Sequence, residues 1–381
     1  MKYRKFRCLD RETSLLGMGA MRFPAKEDGS VDVEASIQLL RSAVDKGVNY
    51  IDTAYSYYGG DSERIIGEAM KDGYRERVII ADKLPVWEVE KEEDVRKLFD
   101  VHFERLDMDY IDMYLVHNII PSNWEKTKKY NVLPFLAQMK KEGRIGHIGF
   151  SFHGDFDLLK EVLDYFDWEF CQIQLNYVDK NEQATLEGLE YARRKGVDVI
   201  VMEPLKGGKI TGDVPDSVQA IWDEAIAAGE IPADRSRVEW AFKWVASQPG
   251  VTHILSGMSN MQQLNDNVEL FSKEDIDQIS DVEEAFLDRV AAEFNGMIPY
   301  QCTACEYCLP CPSGVGIPDV IDYLNNWIAY GKNPNILFEY IDWMDDKHAS
   351  SCTHCGACEK KCPQGLPISD IMKKAEEEFG Q

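Results

Sequence analysis

Eight of the ten cysteines in this 381-residue chain stand in two short runs near its end. The first is Cys302-x2-Cys305-x2-Cys308-x2-Cys311, followed by Pro312; the second is Cys352-x2-Cys355-x2-Cys358-x3-Cys362, followed by Pro363. Three thiolates at two-residue gaps can wrap three irons of a cubane, and a more distant Cys-Pro can supply the fourth ligand. Zinc is the competing assignment, but zinc sites usually present separated cysteine pairs rather than runs of four. Disulfides are not expected, because a cytoplasmic chain keeps its thiols reduced. Cys8 and Cys171 stand alone and take no part in this assignment.

A second group of reactive side chains lies far upstream: Asp52, Tyr57, Lys83 and His117. A free phenol, with a pKa of about 10, is a poor acid at neutral pH, and an adjacent ammonium lowers that value by favouring the phenolate. Lys83 could do this for Tyr57, Asp52 could hold Lys83 charged and in place, and His117 could orient a carbonyl oxygen. Together they could deliver a proton to a carbonyl oxygen while hydride reaches its carbon. Singly, each is more often a structural polar group. Four compatible side chains on three consecutive apolar segments are much harder to dismiss.

The elements that must position these residues follow from hydrophobic periodicity. Apolar runs at 16–21, 48–52, 78–83, 110–117, 145–151, 170–176, 197–204 and 251–256 predict eight strands. Amphipathic stretches at 33–46, 62–71, 92–106, 132–142, 156–164, 184–195 and 235–247 predict helices between them. Several close on a basic residue and then glycine, as in Lys46-Gly47 and Lys195-Gly196. Alternation over this length predicts an α/β fold, a parallel (β/α)8 TIM barrel. Its active site belongs at the C-terminal strand ends, where Asp52, Tyr57, Lys83 and His117 fall. A doubly wound open sheet is disfavoured, since no Gly-x-Gly-x-x-Gly turn follows the first strand. Beyond Met297 the pattern changes: the cysteine runs flank a segment, 312–351, with helical periodicity at 320–330 and 336–344. The expected organisation is a barrel over 1–295 and a small, mainly helical domain over 296–381.

The formal net charge is −25, which argues against nucleic acid or an anionic membrane as partner, both of which need concentrated positive charge. No run approaches the ~20 apolar residues of a membrane span. The basic start, 1–7, leads into no apolar core, so no secretory leader is expected and the cytoplasm is the expected location.

Several segments resemble the aldo-keto reductase family: GVNYIDTAYSY at 47–57 with Asp61-Ser62-Glu63, IIADK at 79–83, IDMYLVH at 111–117, IGFS at 148–151, CQIQLNY at 171–177 and PLKGG at 204–208. By that resemblance Asp52, Tyr57, Lys83 and His117 form the catalytic tetrad, Tyr57 being the acid/base, while Tyr55 and Tyr58 are packing residues. It also implies a nicotinamide site drawn from Gly19, Met21, Ser151, Gln172, Met202, Pro204, Leu205, Gly207, Gly257, Gln263 and Asn267. Ser151 and Gln172 would meet the carboxamide. Phe152 stands where many members carry Asn, and Met202 where many stack an aromatic ring. Gly257 and Gln263 take places where NADP-preferring members often carry Lys and Arg. No Lys or Arg occurs from Ser256 to Asn267, so a 2′-phosphate would lack its charge-assisted partners there. NAD(H) is therefore expected over NADP(H). No flavin motif is present, although a barrel can bind flavin phosphate without one.

The cysteine region resembles the helical dicluster ferredoxins, in which the fourth cysteine of each run serves the other cluster. That implies two [4Fe–4S] clusters, one on Cys302, Cys305, Cys308 and Cys362, the other on Cys352, Cys355, Cys358 and Cys311. The expected function is a carbonyl/alcohol oxidoreductase, acting on a small molecule and exchanging single electrons with a ferredoxin-type or other redox protein. Two rivals are a simple nicotinamide-dependent reductase with structural clusters, and an electron carrier or redox sensor with a non-catalytic barrel.

Overall fold

The computed structural model describes every residue except 27, 301, 303–307, 345, 363 and 381. The chain folds as two compact units that do not follow chain order: 1–204 with 239–279, and 205–238 with 280–381.

The first unit opens with a two-stranded antiparallel hairpin, β1 (Tyr3–Lys5) and β2 (Glu12–Ser14). Eight parallel strands then close a barrel: β3 (Leu16–Gly19), β4 (Tyr50–Asp52), β5 (Ile79–Leu84), β6 (Ile111–Ile119), β7 (Ile145–Phe152), β8 (Phe170–Gln174), β9 (Asp198–Met202) and β10 (Val251–Ser256). Neighbours in the barrel are neighbours in sequence, and β10 closes on β3. The strands are nearly continuous apolar runs, as a sheet covered on both faces requires. The hairpin carries Phe6 and Leu9 into the end of the barrel where the strands begin, against Tyr50, Ile79, Met113 and Phe170. Phe6 stacks on Tyr50 at 6.1 Å and is fully buried, which removes apolar surface worth about 1.5–3 kcal/mol for the one side chain. That end is plugged, and the opposite end is left for chemistry.

The connecting helices form where apolar residues recur at helical spacing. Helix Val33–Asp45 buries Leu39, Leu40, Ala43 and Val44, and the Asp32 carboxylate caps it by accepting from the Ala35 N–H. Helix Glu92–Leu106 has the bounds its periodicity predicts. Pro121–Lys129 is an added helix in the connection after β6, absent from the expected set, with Pro at its first position.

The second unit is helical. Asp216–Ala227, Asp281–Gly296, Ile317–Ala329, Pro334–Trp343 and Ile368–Phe379 are its helices. Its core is aromatic: Trp222 meets Phe286 at 4.7 Å, Phe294 meets Tyr330 at 5.0 Å, and Tyr340 stacks on Phe379 at 4.2 Å. Lys209, just past the Gly207-Gly208 turn, donates to Glu339 at 2.9 Å, both side chains buried. No helix of the described residues is long and apolar enough to cross a membrane.

Candidate active site and metal centre

Parallel pairing of β4 with β5 sets Asp52 level with Ala81, two residues before Lys83, and so brings Asp52 and Lys83 to one end of the barrel. Lys83 is wholly buried; its Nζ donates to Asp52 Oδ1 at 2.5 Å and to the Thr53 carbonyl at 2.7 Å. The same Nζ lies 5.1 Å from the centre of the Tyr57 ring. The His117 ring, from β6, stands edge-on to Tyr57 at 6.2 Å. The structure thus gathers all four residues of the expected tetrad.

Tyr57 is aimed by the turn that follows β4. Its N–H donates to the Ala54 carbonyl at 3.1 Å. Tyr58 takes a left-handed backbone, φ 51°, costly for a residue with a Cβ. It is held there by its hydroxyl, which accepts from the Phe23 N–H at 2.7 Å, and by stacking on Phe23. Tyr58 therefore fixes the turn.

Electrostatics sets the protonation states. Burial works against the charge on Lys83, but Asp52, Tyr57 and Asp82 outweigh it and hold the ammonium above its ordinary value. Burial raises the Tyr57 phenol above its ordinary value, with Lys83 pulling the other way. The lysine thus offsets the cost of burial rather than producing the net depression expected from sequence. Burial, helped by the charge on Lys83, drives His117 far below its usual range, so its imidazole is neutral at pH 7. His117 Nδ1 is buried with no hydrogen-bond partner among the described residues. Trp87, which periodicity did not single out, packs on His117 at 5.0 Å; only the fold reveals it.

The residues expected to hold a nicotinamide divide between the units. Gly19, Met21, Ser151, Gln172, Met202, Pro204, Gly257, Gln263 and Asn267 lie in the first, Leu205 and Gly207 in the second. Ser151 and Gln172 are paired across β7 and β8 at the same end as the tetrad. Ser151 Oγ accepts from the Asn118 N–H at 2.8 Å, and Gln172 Nε2 lies 3.5 Å from Met202 Sδ. Gln172 Oε1 is buried with no hydrogen-bond partner among the described residues, the state of a carboxamide awaiting a donor. Gly19 packs on the end of β10, where an added Cβ would lie 3.6 Å from the Ser256 carbonyl. Gln263 turns back to accept from the Ser259 N–H at 2.8 Å, and Asn267 donates to Ser256 Oγ at 3.1 Å. The space beside Gly257 is not empty: the Arg22 stem lies 3.5 Å from where a Cβ would stand. Linear sequence gives no hint of that neighbour, 235 positions away by subtraction of the two residue numbers.

In the second unit a cavity is lined by Cys311, Cys352, Cys355 and Cys358, with Cys308 also on its wall. The first four are the set expected for one cluster. Val315, Ile317 and Pro312 supply apolar lining. The loop that presents these thiols needs two left-handed residues, His354 at φ 52° and Gly356 at φ 67°. The His354 N–H points to Cys352 Sγ at 3.4 Å, the kind of hydrogen bond that tunes a cluster's potential. Of the other expected set, Cys305 lies outside the described residues; Cys302, Cys308 and Cys362 are half-buried. A converging thiol set in a partly apolar pocket fits a [4Fe–4S] core.

Residues 15–285 match the model of the Aldo/keto reductase family, and residues 301–366 that of the 4Fe-4S dicluster domain. The chain is 27% identical over 284 residues to an NADH-specific methylglyoxal reductase of Escherichia coli, covering 63% of this chain and 84% of the relative. An aldo-keto reductase of Bacillus halodurans, solved in its holo form, superposes with a TM-score of 0.62 at 22% identity, over 76% of this chain and 96% of that one. An aldo/keto reductase of Klebsiella pneumoniae, solved with NADP and acetate, gives a TM-score of 0.59 at 22% identity, over 74% and 92%. These two structures share the barrel fold.

Proposed function

We propose, for a chain that belongs to the aldo/keto reductase family and carries a C-terminal 4Fe-4S dicluster domain, that it interconverts a small carbonyl compound and its alcohol and exchanges the electrons through two clusters. The observation that carries this is the buried Lys83 ammonium, held by Asp52 and the Thr53 carbonyl under the Tyr57 ring.

Tyr57 is the proton donor to the carbonyl oxygen and the acceptor in the reverse direction. Lys83 makes that transfer accessible by stabilising phenolate character in the transition state. Asp52 keeps Lys83 charged and immobile, so no reorganisation is needed as the proton moves. Neutral His117 donates a ring N–H to the carbonyl oxygen without competing as an acid. Trp87 packs on the imidazole and limits its rotation. A bound nicotinamide would supply the electron pair as hydride, and the clusters would restore that pair by passing two single electrons in turn. Carbonyl-to-alcohol conversion takes two electrons and two protons, and two clusters hold one electron each. Cys352, Cys355, Cys358 and Cys311 would hold one cluster, and Cys302, Cys305, Cys308 and Cys362 the other. The cytoplasm suits such thiolates.

Ser151 and the orphaned Gln172 Oε1 are suited to a carboxamide, which supports nicotinamide as the hydride carrier. NADH is the preferred form, because the stretch from Ser256 to Asn267 has no Lys or Arg and Gln263 is tied to Ser259. Dissociation constants compared at one salt concentration should favour NADH by about tenfold, the worth of one charge-assisted contact. Tighter NADPH, lost in Arg22→Met, would assign the 2′-phosphate to Arg22 and refute the preference.

The experiment for the function is anaerobic assay of the intact holoprotein with NADH and a panel of small aldehydes, methylglyoxal among them. Aldehyde-dependent NADH oxidation with alcohol formed in equal amount is expected. No turnover on any aldehyde or ketone, with clusters and nicotinamide bound, would contradict the reading.

A further inference from the structure

Behind the tetrad, four charged side chains, three of them fully buried, form a chain that the proton transfer does not use. His102, on helix Glu92–Leu106, is fully buried between two carboxylates: its Nδ1 is 2.7 Å from Glu63 Oε1 and 3.0 Å from Asp82 Oδ2. The other oxygen of Asp82 accepts from the backbone N–H of Lys83 at 2.8 Å. The other oxygen of Glu63 accepts from Arg105 Nη1 at 2.7 Å, and the same nitrogen donates to the Tyr55 carbonyl at 2.9 Å. Tyr55 is two residues before Tyr57.

Close packing holds this chain taut. The Arg105 guanidinium lies 4.2 Å from the Tyr55 ring centre and against Gly60, where an added Cβ would fall 2.4 Å from it. Gly60 also has φ 96°, so no other residue suits the position. Gly67 brings helix Asp61–Ala69 against the end of Glu92–Leu106; a Cβ there would lie 2.4 Å from the Leu106 carbonyl. One end of the chain thus grips the turn that carries the acid, and the other grips the strand that carries its lysine.

We infer that Arg105, Glu63, His102 and Asp82 are positioning residues that set the distance between Tyr57 and Lys83. The inference rests on the tetrad reading and adds to it. Two carboxylates against one guanidinium and one imidazolium leave the chain neutral only while His102 is protonated. Burial opposes that charge, but Asp82 and Glu63 outweigh it and raise His102 to about 9. Besides these and Arg105 on its own helix, the titratable groups facing it are Tyr114 of β6, edge-on at 5.5 Å, and Tyr55 at 5.8 Å. A value raised above the ordinary one contributes stability that is present below about 6.5 and lost as pH rises through about 9.

The test uses holoprotein variants. Arg105→Met should lower kcat on the aldehyde by about 10- to 100-fold, the scale of a misplaced reacting group, with KM and iron content little changed. It should also shift the Tyr57 phenol titration of the nucleotide-free protein, read by difference absorbance against Tyr57→Phe. Arg105→Lys should recover part of both. His102→Asn, which keeps N–H donors without the charge, should exceed His102→Leu in kcat and flatten the fall in Tm on raising pH through 9. A wild-type kcat and phenol titration in Arg105→Met, or equal kcat in the two His102 variants, would overturn the inference. If Tyr57→Phe is inert while Arg105→Met matches wild type, only the positioning role fails. If Tyr57→Phe turns over normally, the tetrad reading itself fails.

Discussion

Tyr57→Phe should lower carbonyl reduction by about 10²- to 10⁴-fold, the usual contribution of a positioned acid. The variant removes one oxygen from a half-buried side chain, so fold and iron content should hold. The Lys83 ammonium should remain in place, since Asp52 and the Thr53 carbonyl still hold it. Burial raises the Tyr57 phenol, so the wild-type acid is protonated at neutral pH, and reduction should fall as pH climbs through its value. Circular dichroism, iron analysis and steady-state rates check this together. Near-native turnover in the Phe variant would remove Tyr57 from the chemistry. Lys83→Met would be a poorer probe, because an unpaired buried Asp52 costs about 3–5 kcal/mol and confounds catalysis with stability.

The second large effect concerns the thiols. Two cubanes require about eight irons and eight acid-labile sulfides per chain, and protein isolated without oxygen should carry them. Cys355→Ala removes one of the four thiols expected to hold the cluster in the described cavity, so it should strip that cluster and leave about four irons. The barrel site should be unaffected in direct nicotinamide-dependent reduction, while exchange with one-electron donors should drop sharply. If the cluster only stabilises the second unit, Cys355→Ala would instead lower Tm and leave electron exchange intact. Stoichiometric zinc with no iron after anaerobic preparation would refute the cluster assignment.

The barrel was legible because each strand is a short apolar run and each helix an amphipathic one; 92–106 matches to the residue. The gathering of Asp52, Tyr57, Lys83 and His117 was legible because they lie at strand ends that parallel pairing aligns. Other features carried weaker signals. The hairpin strands Tyr3–Lys5 and Glu12–Ser14 are too short for any period to show. Helix Ile368–Phe379 does have a readable stripe, with Ile368, Ile371, Met372, Ala375 and Phe379 buried, and Ser280-x-x-Glu283 is a capping box ahead of Asp281–Gly296. The grouping of 205–238 with 280–381 left no local trace, because it depends on distant contacts such as Lys209 with Glu339. The Arg22 stem beside Gly257 and His102 between Glu63 and Asp82 are likewise tertiary facts.

The central claim, that barrel chemistry draws on the clusters, is tested most directly by reoxidation. Anaerobic holoprotein with nicotinamide bound is reduced by a one-electron donor, freed of excess reductant and mixed with the small aldehyde that supports turnover. Cluster absorbance and electron paramagnetic resonance are then followed in wild type and Tyr57→Phe. The clusters should reoxidise in wild type, with one alcohol formed per two electrons lost, and stay reduced in the Phe variant. Clusters that stay reduced in wild type while NADH-driven turnover proceeds would contradict it.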